Sequence, residues 1–185
     1  MDDLPGLPPH LTGRVVAVSD HVDPMRSLVS AFKDRGAWSL EPVLATHLVR
    51  AAALLVEAGQ PVCLVPVPSS RRAVRERGFD HTRALVRAMA RRMPGAQQAR
   101  VLRRRGRVEE QSGLARAQRQ LNQRGSLFAA PPRQTVSALL VDDVCTTGAT
   151  LAEADRALSL AGWRVVGAVV LSHPTRPASN LSQLP

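Results

Sequence analysis

The run ALLVDDVCTTGAT, residues 138–150, sets two adjacent carboxylates, Asp142 and Asp143, between four apolar residues and a loop of small and hydroxylated ones. The spacing predicts a buried strand that ends at the acids and passes through Cys145–Thr150 into a helix. At such a helix start several backbone N–H groups have no intrahelical acceptor, and together with the helix dipole they favour a bound phosphate. Gly148 lets the backbone approach closely, and Thr146, Thr147 and Thr150 add hydroxyl donors. The same dianion would be repelled by the two acids if they faced it. They fit when a neutral polyol lies between, because hydroxyls donate strong charge-assisted bonds to carboxylates. A sugar phosphate satisfies both halves of the motif. Capping is the competing role for Asp, but two acids after four apolar residues and before TTGAT favour a ligand site. Neither G-x-x-x-x-G-K-[ST] nor G-x-G-x-x-G occurs in the chain.

Other reactive side chains are sparse. Cys63 and Cys145 are the two cysteines and form no C-x-x-C pair, which argues against a zinc ribbon or a disulfide framework. A helix start can activate a thiol, yet a small side chain that fits the loop is the simpler role for Cys145. His47 and His81 fall on expected helices with no partner constellation around them.

These residues must be positioned by an α/β frame. RVVAVSD (14–20) reads as a strand. A helix follows, with Asp23 as cap, Pro24 at its first position and Gly36 past its end. Apolar spacing predicts a second helix over about 41–58, a buried strand over 61–68 and an amphipathic helix over 81–93. A short strand is expected near Val101–Leu102, and residues 103–126 read as an exposed loop with one helical turn at 114–121. VSALLVDD forms the next strand, Leu151–Ala161 a helix stopped by Gly162, and 164–172 the last strand. Near-continuous apolar strands alternating with helices mean a parallel sheet covered on both faces, with ligands beyond the strands' carboxyl ends. Residues 1–13 and 173–185 are expected as flexible tails around a single domain, 14–172.

The 185-residue length suits one such domain. No apolar run approaches the roughly 20 residues of a membrane span, and the acidic, proline-broken start MDDLPGLPPH is unlike a secretory leader. The expectation is a cytoplasmic protein without membrane contact. The net charge of +10 is uneven: residues 71–124 hold sixteen arginines against four acids. Lys33 is the one lysine among 25 basic residues. Arginine's planar fork suits phosphate, so an anionic partner is implied near this stretch. With 3% aromatic residues and no tyrosine, platforms for stacking bases are scarce, and Trp38 and Phe79 are expected to pack rather than stack.

Residues 138–150 resemble the phosphoribosyl-pyrophosphate (PRPP) motif of type I phosphoribosyltransferases. Further segments, AFKDRGAW (31–38), VPVP followed by RERGFDHTRALVRAMAR (75–91), and QSGLARAQRQLNQRGSLF (111–128), resemble the ComF family in the same order. This family of phosphoribosyltransferase-like proteins is associated with bacterial competence for DNA uptake. The resemblance covers about residues 20–172 and implies a type I phosphoribosyltransferase-like fold with a small N-terminal hood. It implies that Asp142 and Asp143 bind the ribose hydroxyls, and that Val144, Cys145, Thr146, Thr147, Gly148, Ala149 and Thr150 surround the 5-phosphate. Ser69, Ser70, Arg71 and Arg72 would form the pyrophosphate loop, with Asp142, Asp143 and Arg71 as the catalytic set. The arginine-rich 103–125 segment would be the mobile loop that closes the site. Magnesium would arrive with PRPP, held by pyrophosphate and water rather than by side chains.

Three features depart from the family. Its common four-cysteine zinc module is absent, so no structural zinc is expected. Asp80 stands where the family usually has Asn, and PSSRR (68–72) is a less typical pyrophosphate loop. The resemblance implies an enzyme that transfers phosphoribose from PRPP to an acceptor the sequence does not identify. The alternative is a non-catalytic PRPP-fold protein of DNA uptake that contacts single-stranded DNA or a helicase partner.

Overall fold

The structure is a computed structural model that describes residues 13–105 and 125–174. Its frame is a five-stranded, all-parallel sheet: β1 (Arg14–Asp20), β2 (Val62–Pro66), β3 (Ala96–Gln98), β6 (Ser137–Val144) and β7 (Arg164–His173), in the order β1-β7-β6-β2-β3. Two short strands, β4 (Leu102–Arg104) and β5 (Leu127–Ala129), pair antiparallel beside it. The helices are α1 (Met25–Arg35), α2 (Glu41–Ala52), α3 (Arg71–Arg77), α4 (His81–Ala90) and α5 (Ala149–Leu160), with a 3-10 turn at Trp38–Leu40.

Period-two alternation along the strands builds two cores. Val16, Leu64, Leu139, Val141, Val169 and Leu171 face α1, α2 and α4 on one side. Val15, Val65, Ala138, Leu140, Ala168 and Val170 face α5 and the β4–β5 pair on the other. A parallel sheet buried on both sides is what its unbroken apolar strands require. The β1–β7 contact is close enough that a Cβ at Gly167, where φ is 150°, would lie 2.5 Å from the Arg14 carbonyl oxygen.

Several boundaries differ from the sequence expectation. β1 forms the sheet edge beside β7, and α2 packs against both strands. Pro24 begins α1, and Asp23 accepts from Ser27 Oγ at 2.6 Å instead of capping the backbone. The second helix ends at Ala52 because turn hydrogen bonds from Leu55 and Val56 to the Ala52 carbonyl take over. β3 and β5 have no counterpart in the sequence reading, because three residues carry too little periodicity. Strand β7 runs to His173, which pairs with Asp20 and is buried, so this residue belongs to the sheet and not to a tail. The expected helical turn at 114–121 and both terminal tails, apart from residues 13, 173 and 174, lie outside the described residues.

The topology locates a crevice. From β2 the chain moves outward to β3, while from β6 it moves the other way to β7. β2 and β6 are neighbours, with Pro66 opposite Val141. The strand order therefore reverses between them, and the carboxyl ends of such a pair are where open α/β sheets bind ligands.

Candidate functional site

Two strand-to-helix crossings meet at this point. The β6–α5 crossing carries Asp142, Asp143 and the Cys145–Thr150 loop. The β2–α3 crossing carries Ser69, Ser70, Arg71 and Arg72. A hydrogen bond from Val67 N–H to the Val141 carbonyl, 3.0 Å, ties the two together.

Asp143 continues the Leu139–Val141 row and so turns toward α1 and α4. Its carboxylate is 6% exposed. Lys33 Nζ of α1 lies 2.6 Å from Oδ2, and His81 Nε2 of α4 lies 3.1 Å from the same oxygen. Oδ1 accepts the Val144 N–H at 2.9 Å. Oδ1 is thus hydrogen-bonded within the protein, while Oδ2 is buried and held by ion-pair contacts without a well-aligned hydrogen bond. Burial by itself would raise the pKa of this carboxyl, but the His81 contact and the Lys33 charge outweigh it and hold the pKa well below the usual range.

His81 is fixed from both sides. Arg77 Nη1 donates to its Nδ1 at 2.8 Å. A guanidinium only donates, so Nδ1 accepts and Nε2 carries the hydrogen that faces Asp143. Neither ring nitrogen is left to serve as a general base. Phe79 sets the ring's surroundings, edge-on to His81 at 6.5 Å and tilted against Trp38 at 4.1 Å. Phe79 packs against the core, as expected, while Trp38 is about half exposed beside it.

Asp142 is half-buried and falls in the other row, with Ala138 and Leu140. Its Oδ1 accepts the Asp143 N–H at 2.9 Å. Burial, and after it the charge of Asp143, push this carboxyl well above the usual range. The two neighbouring acids therefore have opposite electrostatic characters, one anchored as an anion and one pushed toward its neutral form.

The loop beyond them is built from buried backbone. Cys145 N–H donates to the Ser172 carbonyl at 3.0 Å, and the Cys145 carbonyl accepts from His173 Nδ1 at 2.6 Å. This corrects the expectation that amides from Cys145 onward face a phosphate, because the Cys145 N–H is already used. The Cys145 side chain is 2% exposed, and burial followed by the Asp142 charge pushes its thiol up to about 11. Here burial overrides the helix start, and the thiol is a packing group. Gly148 adopts φ 70° at the N-cap of α5. Thr147 Oγ1 accepts from Ala149 N–H at 3.4 Å, and the first intrahelical bond runs from Ala152 N–H to the Gly148 carbonyl. The N–H groups of Thr150 and Leu151 have no acceptor within the helix at this position. Thr146 is exposed and Thr150 half-buried, so both hydroxyls lie at the accessible side of the loop.

The β2–α3 crossing is simpler. Ser70 caps α3 by accepting from Ala73 N–H at 3.1 Å, so Arg71 and Arg72 form the first helical turn and not a loop. Both arginines are exposed, and Arg72 Nε lies 2.7 Å from Glu76 Oε1. Asp80 caps α4 through Arg83 N–H at 3.2 Å, which gives that acid a structural role. On the β3 side of β2, where the edge strand stops, a hollow of about 280 Å³ is lined by Pro66, Asp80, Arg83, Arg100, Leu102 and Arg103. Another, of about 250 Å³, lies at the amino ends of β6 and β7 around Arg133 and Arg164, away from both acids.

β4 and β5 bracket the arginine-rich segment, whose residues 106–124 lie outside the described residues. Among the described residues no group of three or more His, Cys, Asp and Glu could hold a metal ion. No helix of the described residues is long and apolar enough to cross a membrane. Sequence reasoning overlooked Lys33 and His173 as supports of the motif. The signal for Lys33 was its being the one lysine in an arginine-rich chain. For His173 there was none beyond its position at the end of a strand. No protein-family model matches the chain, and no curated protein matches it either.

Proposed function

We propose that the chain binds PRPP with magnesium in the β2–β6 crevice and transfers its phosphoribosyl group to an acceptor, releasing pyrophosphate, on a fold of the type I phosphoribosyltransferase kind. One observation carries this reading: a half-buried carboxylate, Asp142, stands beside a glycine-capped helix start at the point where the strand order reverses. Asp142 accepts from the ribose hydroxyls. The α5 N–H groups with Thr146, Thr147 and Thr150 take the 5-phosphate. Arg71, exposed at the start of α3, lies across the crevice for the pyrophosphate. Magnesium would reach the site with the pyrophosphate oxygens and would supply charge neutralisation on the leaving group.

In this reaction the bond between the ribose C1 and the pyrophosphate oxygen breaks, the pyrophosphate keeps the electron pair, and the acceptor's lone pair forms the new bond to C1. The residues bind, orient and neutralise. No side chain of the chain is assigned as a base, since His81 and His173 both hold protein groups. Calorimetry with magnesium and PRPP tests the reading, followed by pyrophosphate release on adding nucleobases or amines. Asp142→Asn is expected to weaken PRPP binding at least tenfold, the size of one charge-assisted hydrogen bond. Absence of any heat with the wild type would sink it.

A second reading draws on the exposed Arg100, Arg103, Arg104 and Arg105 along the β3–β4 edge. They suit a non-catalytic role in which the chain tracks the phosphates of single-stranded DNA, alone or with a helicase partner, in DNA uptake. Steeply salt-dependent DNA binding that ignores PRPP and survives Asp142→Asn would favour it.

A further inference from the structure

Asp143 stands in the motif as a ligand-binding acid, yet its surroundings describe something else. Its oxygens meet Val144 N–H, Lys33 and His81 at 2.9, 2.6 and 3.1 Å, and His81 is in turn held by Arg77 at 2.8 Å. Asp143 is 6% exposed and each of its oxygens already faces a group of the protein, so a ligand hydroxyl would have to compete with these contacts. Asp142 has one oxygen on the Asp143 N–H and the other uncommitted among the bonds described. The identity of residue 33 supports a dedicated role. Wherever this chain uses a basic residue it uses arginine, except at the position that inserts a compact ammonium against Asp143. An ammonium presents a point charge on a slim stem, where a planar fork would need more room.

We infer that Lys33, His81 and Asp143 are positioning residues that fix and electrically tune Asp142, and that Asp142 is the one acid of the pair to contact the ligand. The inference rests on the sugar-phosphate reading for the ligand's identity, but its electrostatic half does not. Asp142 has Asp143 beside it on its own strand and the Cys145 thiol in the loop beyond; Lys33 of α1, His81 of α4 and Arg77 of α3 stand on the Asp143 side. The Asp143 charge opposes ionisation of Asp142, and the Lys33 charge favours it. A hydroxyl donates more strongly to an ionised Asp142 than to a neutral one. Binding is therefore expected to tighten as Asp142 ionises, which Lys33 favours and Asp143 opposes.

The test is a carboxyl carbon-13 NMR titration of the ligand-free protein, with Asp142 assigned by its absence in Asp142→Asn. In Lys33→Met the Asp142 midpoint is expected to move to higher pH, and in Asp143→Asn to lower pH. Lys33→Met is the principal variant because Lys33 is the more exposed partner, so the test survives if Asp143→Asn does not fold. PRPP affinity at neutral pH is expected to fall about tenfold in Lys33→Met and to recover as pH is raised. A merely structural role would lower affinity equally at every pH. Lys33→Arg is expected to restore neither midpoint nor affinity in full. An unmoved Asp142 midpoint in Lys33→Met overturns the inference, as does a PRPP complex in which the sugar hydroxyls donate to Asp143. If the wild type binds no PRPP, the functional reading fails while the titration still decides the tuning.

Discussion

The β6–α5 and β2–α3 crossings leave neighbouring strands at the same end of the sheet, yet they are held by different physics. The first is tied inward at each step: Asp143 to Lys33 and His81, Cys145 through both backbone groups to Ser172 and His173, and its thiol into the core. The second is held by the Ser70 cap, the exposed Arg72–Glu76 pair, the Arg77–His81 bond and a bond from Arg104 Nε–H to the Pro68 carbonyl at 3.1 Å. A crossing anchored on both faces of the sheet keeps its N–H groups in a fixed geometry, as an anion cradle requires. The other presents Arg71 and Arg72 at the surface. Buried, paired charge at one wall and exposed charge at the other is the lesson of the pair.

Mutations that remove one partner should separate the crossings first by stability. Asp143→Ala is expected to lower unfolding free energy by about 3 kcal/mol, because it strips a buried charge pair of one member. Urea unfolding measures it, and a loss below about 1 kcal/mol would show that the β6 crossing is no better anchored than the β2 one.

A pH series sharpens the contrast within the first crossing. The Asp143 carboxyl is held below its unfolded value, so its contribution is present above about pH 4 and is lost as pH falls through the folded value. Asp142 is raised, so the opposite holds: the folded state loses stability as pH climbs from about 4 through the folded value. Asp142→Asn should therefore gain stability over the wild type with rising pH and converge with it below about pH 4, while the deficit of Asp143→Ala shrinks on acidification. Parallel wild-type and Asp142→Asn curves would contradict the assignment.

What could be read without the structure follows from how strong each local signal is. The frame was legible because long apolar strands and amphipathic helices carry periodicity, and the glycines at 36 and 162, both with positive φ, follow helix ends. α3 was not legible, although Ser70 and Gly78 bracket it, because seven residues with four arginines show no apolar stripe. The motif's location was legible, but the division of labour between its acids was not. That division depends on Lys33 and His81, which arrive from 110 and 62 positions earlier in the chain. Strand alternation carries half of it: if Leu139 and Val141 face one core, Asp143 follows them inward.

At the β2 crossing the serine cap contributes more than the exposed ion pair. Ser70→Ala removes the one side-chain acceptor at the start of α3 and is expected to cost about 1 kcal/mol, measured by urea unfolding. It should also weaken PRPP binding while leaving the β6 cradle intact, since Arg71 is the next residue. An unchanged stability would mean that α3 is held by its neighbours and not by its own start.

The smallest effect is expected at Glu76. Its partner Arg72 precedes it by one helical turn, the poorer orientation for an i,i+4 pair because the cation sits at the positive end of the helix dipole. Both side chains are more than half exposed, at 74% and 59%, so water and salt screen them. Glu76→Ala should change stability by less than about 0.5 kcal/mol, and added salt should erase even that. Arg72, relieved of its acidic neighbour, should then bind pyrophosphate no more weakly than before. A cost above about 1 kcal/mol that persists in high salt would mean the exposed wall is as cohesive as the buried one, and the two crossings would no longer differ in kind.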